Sequence, residues 1–334
     1  MPAAVVLPVQ QGTDAWLEAR RSGIGSSDAP VVAGEKGSLV ALWGEKTGLV
    51  PRPEPDEELA ERFAWGHRME PMVAAAYTEQ TGRPLRRRTH LLRHPQVPWA
   101  LASLDRESAR RGERRICEIK VSDIDAKYAG EDLPGDVFAQ VQHQLWVTGY
   151  EVADVVVLLR YWRLKVFEVG RDDAYLDDLI YLERDLWEHY VEPRVMPPVD
   201  GSETTRRVLG RMWGRTNGLF IPPAVDLDIL AEEWRQARLE LKTAEAREGT
   251  AANAIRAVIG DADGISLSSG DAITWRRNAD GSRTDWKAVA EELRDRLEVK
   301  PEHWRDAVDA NTKPTEGARV LRAPRSWSKE DAAA

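Results

Sequence analysis

Seven residues, Arg115 to Val121, constrain this chain more than any others. In Arg-Ile-Cys-Glu-Ile-Lys-Val, the apolar Cys117, Ile119 and Val121 alternate with Glu118 and Lys120, the period of two that a β-strand imposes. One face of the strand is predicted to be buried, while a carboxylate and an ammonium project side by side from the other. A partner strand is predicted over Ala100 to Asp105, joined to it by a basic connection. Downstream, Val137, Val141 and Leu145 recur at helical spacing in a segment of about Asp136 to Thr148, opened by Pro134 and Asp136 and stopped by Gly149. Gln140, His143 and Gln144 share another face of that helix. Strands are predicted over about Val152 to Tyr161 and Leu164 to Val169, then a helix over about Asp172 to Tyr190.

Upstream, a helix of about Glu58 to Gln80 places Met69, Val73 and Tyr77 in one buried stripe, and Pro71 predicts that Glu70 sits at a kink or a fresh start. Nearer the N-terminus, Trp16, Leu17 and Ala19 precede the turn-forming Ser22-Gly23-Ile24-Gly25-Ser26-Ser27-Asp28, which is expected to open a helix with Asp28 or Ser27 as its N-cap. The order α, β, β, α, β, β, α is that of an α/β fold: a mixed central sheet flanked by helices.

This pattern ends near Val199. Pro197, Pro198, Gly201, Gly210, Gly214, Gly218, Pro222 and Pro223 then crowd one stretch, which suggests a connection. The domain expectation is a core of 1–199, a linker of 200–225, a mainly helical C-terminal extension of 226–312, and a mobile tail of 313–334. Within the extension, a charged helix of about Asp226 to Val258 has Leu230, Trp234, Leu239 and Leu241 as candidate buried positions. A hairpin of Ile265 to Trp275 and a helix of about Trp286 to Leu297 follow.

With 334 residues, 31% charged and 42% hydrophobic, the chain has the profile of a folded, water-soluble protein. No stretch approaches the roughly 20 apolar residues of a membrane span, and no signal-like leader is present, so a cytoplasmic location is expected. A lone cysteine, Cys117, excludes an internal disulfide and cannot by itself build a zinc site. The net charge of −9 argues against wholesale coating of nucleic acid. Two basic runs nonetheless flank the acidic motifs, one with Arg83, Arg86, Arg87, Arg88 and Arg93, the other with Arg106, Arg110, Arg111, Arg114 and Arg115. Solvated loops are their ordinary reading.

Glu70, Asp105 and Glu118 offer hard oxygen ligands from three separate elements, and a magnesium ion so held activates water and neutralises a phosphodiester. Lys120, beside Glu118, can lower the pKa of the attacking water or take its proton. The basic segments and the glutamine face are then candidates to hold a DNA backbone. Singly, each residue has a structural explanation. Their order and spacing together carry the chemical reading.

The same residues resemble those of the YqaJ-like viral recombinases, related to lambda exonuclease within the PD-(D/E)xK nuclease superfamily. The resemblance runs from Trp16-Leu17-Glu18-Ala19-Arg20 and Gly23-Ile24-Gly25-Ser26-Ser27-Asp28 through Trp65-Gly66-His67-Arg68-Met69-Glu70-Pro71. It continues in Ala102-Ser103-Leu104-Asp105, Glu118-Ile119-Lys120 and Ala139-Gln140-Val141-Gln142-His143-Gln144-Leu145-Trp146-Val147-Thr148. It covers about residues 14–190 in the family's order and implies a restriction-endonuclease-like sheet.

The resemblance also implies that Glu70, Asp105, Glu118 and the Ile119 carbonyl bind Mg2+, with Mn2+ able to substitute, and that Lys120 assists the water. It places Gln140 beside the active site and gives Arg20 and Ser27 to a pocket for a 5′-terminal phosphate. The implied activity is 5′ to 3′ digestion of double-stranded DNA from its ends, exposing a 3′ single strand for a RecT-like or Beta-like annealing partner in the cytoplasm of the cell, the host's if the chain is phage-encoded. A homo-oligomer fits the resemblance, although the C-terminal extension has no counterpart in the compact lambda enzyme and puts a ring-shaped trimer in doubt. The competing expectations are a related endonuclease or repair-associated nuclease without an end requirement, and a non-catalytic DNA-end adaptor.

Overall fold

The structure, a computed structural model, describes residues 3–50, 57–277 and 284–312, together with Leu321 and Pro324. The tail expected after Thr312 otherwise lies outside the described residues. The chain divides into two units, Met1–Gly214 and Arg215–Ala334.

In the first unit, β1 (Val5–Gln10), α1 (Asp14–Arg21), β2 (Ile24–Gly25), α2 (Ala29–Val32) and α3 (Leu39–Thr47) lead to the long α4 (Glu57–Thr81). Then come β3 (Leu85–Arg87), β4 (His90–Arg93), β5 (Ala100–Ala102), β6 (Arg106–Ser108) and β7 (Arg115–Val121). The unit closes with α5 (Gly135–Thr148), β8 (Val152–Leu158), β9 (Leu164–Gly170), α6 (Asp173–Asp185), a π-helical turn Leu186–Val191, and α7 (Glu203–Met212). The helix expected to run to Tyr190 thus changes its winding at Leu186.

Two mixed sheets result, flanked by helices as expected. A four-stranded sheet has the order β1-β4-β5-β2 and a five-stranded sheet the order β3-β6-β7-β8-β9. β7 lies at the centre of the second, antiparallel to β6 and parallel to β8 over the full register Arg115↔Val152 to Val121↔Leu158. A parallel pair needs a crossover, and α5 supplies it. β8, Val-Ala-Asp-Val-Val-Val-Leu, is buried along most of its length, as a strand covered on both faces should be.

β7 is covered in the same way, which corrects the expectation of one buried face. Cys117 and Ile119 pack with Val156 against Val73, Ala74 and Tyr77 of α4. Ile116 packs on the other side in the main core, with Val137, Val141 and Leu145 of α5. α4 is one helix through Pro71, so of the two expectations for Glu70, a kink or a fresh start, the fresh start is corrected. Proline removes the N–H that would reach the residue four earlier, but Val73, Ala74 and Tyr77, packed against the sheet, keep the helix in register.

The expected strand Ala100 to Asp105 ends at Ala102 and is not the partner of β7. Ala100–Ala102 pairs in the four-stranded sheet, and Arg106–Ser108 pairs with β7 in the five-stranded one, so the chain passes between sheets at Asp105. His143 of α5 ties these layers together. Its Nε2 donates to Leu101 O at 2.8 Å and its Nδ1 pairs with Glu183 Oε1 of α6 at 2.7 Å, with both side chains fully buried. Since a carbonyl and a carboxylate only accept, both ring nitrogens carry protons. Burial works against that charge, but Glu183 holds the imidazolium's pKa above the ordinary value.

Within the expected linker, α7 forms a helix capped by Ser202, which accepts from Thr205 N, and its buried Val208 packs with Val40 and Val50. The second unit holds α8 (Val225–Ile259), a hairpin of β10 (Gly264–Ser266) and β11 (Ala272–Thr274), α9 (Trp286–Arg296) and α10 (Pro301–Asn311). This region is mainly helical, as expected, but Leu230 and Leu241 of α8 are exposed rather than buried, and α10 was not foreseen. Among the described residues no helix is long and apolar enough to cross a membrane.

Candidate active site

The side chains of Glu118 and Lys120 leave β7 on the face covered by α5, whose Gln140 and Gln144 are one helical turn apart and therefore neighbours. Lys120 Nζ donates to Glu118 Oε1 at 2.8 Å and to Gln140 Oε1 at 2.9 Å. Gln140 Nε2 donates to the same Glu118 Oε1 at 2.6 Å, and Gln144 Nε2 donates to Glu118 Oε2 at 2.8 Å and to Ser103 O at 3.0 Å. Both carboxylate oxygens of this buried glutamate thus accept from donors, two of which carry no charge. Gln144 Oε1 is buried without a hydrogen-bond partner.

Asp105 joins this group from the crossing point between the sheets, its Oδ2 accepting from Ile119 N at 2.9 Å. Burial and repulsion from Glu118, with a further contribution from Glu70, push its carboxyl up to about 8, although Ile119 N and Lys120 pull the other way. Burial opposes the charge on Lys120, yet Glu118 and Asp105 hold the ammonium above the ordinary lysine value.

Glu70 approaches from α4 but is not gathered with the other two acids. Its Oε1 is in an ion pair with the buried Arg106, whose Nη1 also donates to Asp105 O at 2.9 Å. Among the described residues no three His, Cys, Asp or Glu side chains are grouped so as to hold a metal ion. The donor chemistry still suits a hard divalent cation: two carboxylates that repel each other, with a third acid near enough to be felt by Asp105.

Arg20 and Ser27 meet at a second place. Arg20 Nη2 donates to Ser27 Oγ at 2.6 Å, lies 3.7 Å from Asp28 Oδ1, and stacks over the Trp16 ring at 4.9 Å. Gly23, just before β2, lets the chain pass close to Trp99, because a Cβ there would sit 2.2 Å from Trp99 O. Asp28 stands at the N-cap of α2, as expected, but its side chain makes no capping hydrogen bond there. Its carboxylate instead accepts from Gly25 N at 2.9 Å and from the fully buried Lys46 at 2.5 Å. Burial would raise the Asp28 carboxyl, but Lys46 and Arg20 hold it below the ordinary value.

The structure corrects the expected DNA-holding face. His143 and Gln144 are fully buried and cannot touch a DNA backbone. Many of the basic residues also serve the fold: Arg86 and Arg88 pair with Glu107, Arg83 and Arg115 with Asp154, and Arg106 with Glu70. Arg87, Arg111 and Arg114 remain exposed. Lys46 was missed at the sequence level, and only its place on the buried face of α3 marks it.

Glu118 and Asp105, a lysine and two glutamines on a helix-covered mixed sheet fall within a recognised protein family. Residues 15–151 match the model described as the YqaJ-like viral recombinase domain, a span that includes every site residue named above. The protein YqaJ of Bacillus subtilis (strain 168) is 32% identical over 239 residues, 70% of this chain and 72% of that protein. The chain belongs to the YqaJ-like viral recombinase family. Among solved structures, it is similar to an alkaline exonuclease from Laribacter hongkongensis, at 18% identity and a TM-score of 0.46 over 60% of this chain and 100% of that one. It is also similar to a phage-related exonuclease from Haemophilus somnus 129PT, at 13% identity and a TM-score of 0.41 over 52% of this chain and 95% of that one.

Proposed function

We propose that this chain is a Mg2+-dependent exonuclease that digests double-stranded DNA 5′ to 3′ from its ends and leaves 3′ single-stranded overhangs. One observation carries the reading: Asp105, through Ile119 N, and the buried Glu118, from separate elements, meet the same stretch of β7 as Lys120, with Gln140 bonded to both Glu118 and Lys120. A purely structural cluster has no need of two mutually repelling carboxylates at one place.

Asp105, Glu118, the Ile119 carbonyl and Glu70 would hold the cation, which when bound supplies charge neutralisation at the phosphate and a more acidic water. Gln140 orients both Glu118 and Lys120 with neutral donors and acceptors. Lys120, held as an ammonium, stabilises negative charge on the attacking oxygen or the phosphate rather than serving as a resting base. Arg20 and the exposed Ser27 would receive a 5′-terminal phosphate, since a guanidinium and a hydroxyl are suited to phosphate oxygens. An annealing protein of the RecT-like or Beta-like kind would take up the 3′ strand, and cytoplasmic action and self-association belong to the same reading.

The Glu70–Arg106 ion pair favours one alternative, a DNA-end adaptor that binds without cutting, because it engages one of the three acids with an arginine. End-labelled duplex and a closed circle, each incubated with and without Mg2+, separate the possibilities. Mg2+-dependent loss of 5′ label from the linear duplex alone is the expected result. Cutting of the circle would leave an endonuclease, and binding without digestion would leave the adaptor.

A further inference from the structure

We propose that the tip of the β8–β9 hairpin is a stacking platform for unpaired DNA bases, with Tyr161 and Trp162 as its two rings; this rests on the DNA-processing reading above. Leu159 N donates to Arg163 O at 2.8 Å, closing a three-residue tip of Arg160, Tyr161 and Trp162. Tyr161 and Trp162 are 85% and 78% exposed, although rings of this size ordinarily gain from burial. Both also have left-handed backbones, with φ of 58° and 62°, a conformation that bulky L-residues avoid. The fold therefore bears an energetic cost in displaying these rings to solvent.

The display is fixed in place. Asp125, on the 3-10 turn Asp125–Tyr128, accepts from Arg160 N at 3.1 Å through Oδ1, and its Oδ2 is in an ion pair with Arg163. A tip held on both flanks loses little freedom on binding, which favours recognition by flat surfaces. The local sequence Arg160-Tyr161-Trp162-Arg163-Leu164-Lys165 interleaves two rings with three cations and contains no acid. Lys165 is tied to Tyr128 O and Gly130 O, while Arg160 and Arg163 remain exposed beside the rings. Rings flanked by cations suit single strands, because π-faces accept bases of any sequence and cations follow the phosphates. Bases within a duplex are stacked on one another and offer no free face.

Register places the tip near the candidate active site. Val157 pairs with Lys120, and Tyr161 is four residues further along. Four residues span at most about 14 Å and neighbouring strands lie about 4.8 Å apart, so the two backbones are within about 20 Å. That is about six base-pair steps of B-form DNA, close enough for a strand freed at the site to reach the rings.

The test uses the full chain without Mg2+ and two fluorescein-labelled probes, a blunt duplex and the same duplex carrying a 3′ oligo(dT) extension, read by anisotropy. The double variant Tyr161→Ala, Trp162→Ala is expected to lose at least about fivefold in affinity for the extended probe while binding the blunt probe as the wild type does. Tyr161→Phe, Trp162→Phe keeps both affinities, because rings remain. Unchanged binding of the extended probe by the alanine variant, or an equal loss on both probes, overturns the proposal. Wild-type digestion with Mg2+ is run alongside: digestion with no effect of the rings removes this inference alone, whereas a wild type that neither binds nor digests duplex removes the underlying reading as well.

Discussion

Replacing Asp28 with asparagine leaves the Lys46 amine, fully buried and 2.5 Å from the Asp28 carboxylate, without its counter-charge. Removing one member of a buried pair typically costs about 3–5 kcal/mol. An independent bound agrees with this figure. A lysine with the ~10.4 pKa of water can shed its proton at about 1.36 kcal/mol per pH unit, or ~4 kcal/mol at pH 7.5, so the stranded charge cannot cost much more than that. For a unit of this size ~4 kcal/mol corresponds to a melting shift of about 8–16 °C. The sign of the pH dependence follows from the same groups. Because the Asp28 carboxyl is depressed in the folded state, its contribution is present above the unfolded value of ~3.9 and disappears as pH falls through the folded value. At high pH the deficit shrinks instead, since neutralising the amine becomes easier. Urea denaturation of wild type and Asp28→Asn, followed by circular dichroism from pH 3 to 10 (about that range), should show a difference that is greatest near neutrality and narrows on both sides. A difference under about 1 kcal/mol at pH 7.5, or one that grows with pH, would refute the reasoning.

Lys120→Ala should abolish Mg2+-dependent digestion of end-labelled duplex while sparing DNA binding in a gel-shift assay; undiminished digestion would remove the catalytic assignment. Arg20→Ala should weaken the preference for 5′-phosphorylated over 5′-hydroxyl ends in a competition digest, and an unchanged preference would dismiss the phosphate pocket alone. Gln144→Leu takes a buried donor from both Glu118 Oε2 and Ser103 O. It should lower stability by about 1–3 kcal/mol and raise the Mg2+ concentration needed for half-maximal digestion. Wild-type values for both in the variant would show that Gln144 does not brace the glutamate.

Elements with a dense, regular apolar pattern were legible in the sequence. α5 was expected over about Asp136 to Thr148 and forms over Gly135–Thr148, because three apolar residues in one stripe and a glycine stop leave few alternatives. β7 was equally clear. What escaped was determined by pairing partners far along the chain. Nothing in Ala-Leu-Ala-Ser-Leu-Asp-Arg-Glu-Ser announces that its first three residues pair in one sheet and its last three in another, since alternation reports which face is buried and not which neighbour a strand finds. Pro71 left a fresh helix start open for a related reason: local sterics allowed one, and packing of the next turns against β7 keeps α4 a single helix.

The candidate site divides along the same line. That Glu118 and Lys120 share a strand face follows from period two alone; the meeting with Asp105 was expected from the chemistry of the acids and that with Gln140 from the family resemblance, while both depend on how the sheets and α5 assemble. Burial of Gln144 and His143 went against the sequence expectation because polar residues on an amphipathic helix are usually solvated. Their burial has a physical logic. A carboxylate held inside a protein needs donors, and a cation such as Arg or Lys would supply them while cancelling the negative charge. Glu118 draws on both kinds: Lys120 offsets its charge at Oε1, while the amide donors of Gln140 and Gln144 satisfy it without adding to that offset, and burial together with Glu118 pushes the nearby Asp105 up to about 8. Glu118 and Glu70 thus each meet a cation, Lys120 and Arg106, and Asp105, which accepts from the neutral Ile119 N–H, is the acid whose ionisation burial and its acidic neighbours resist.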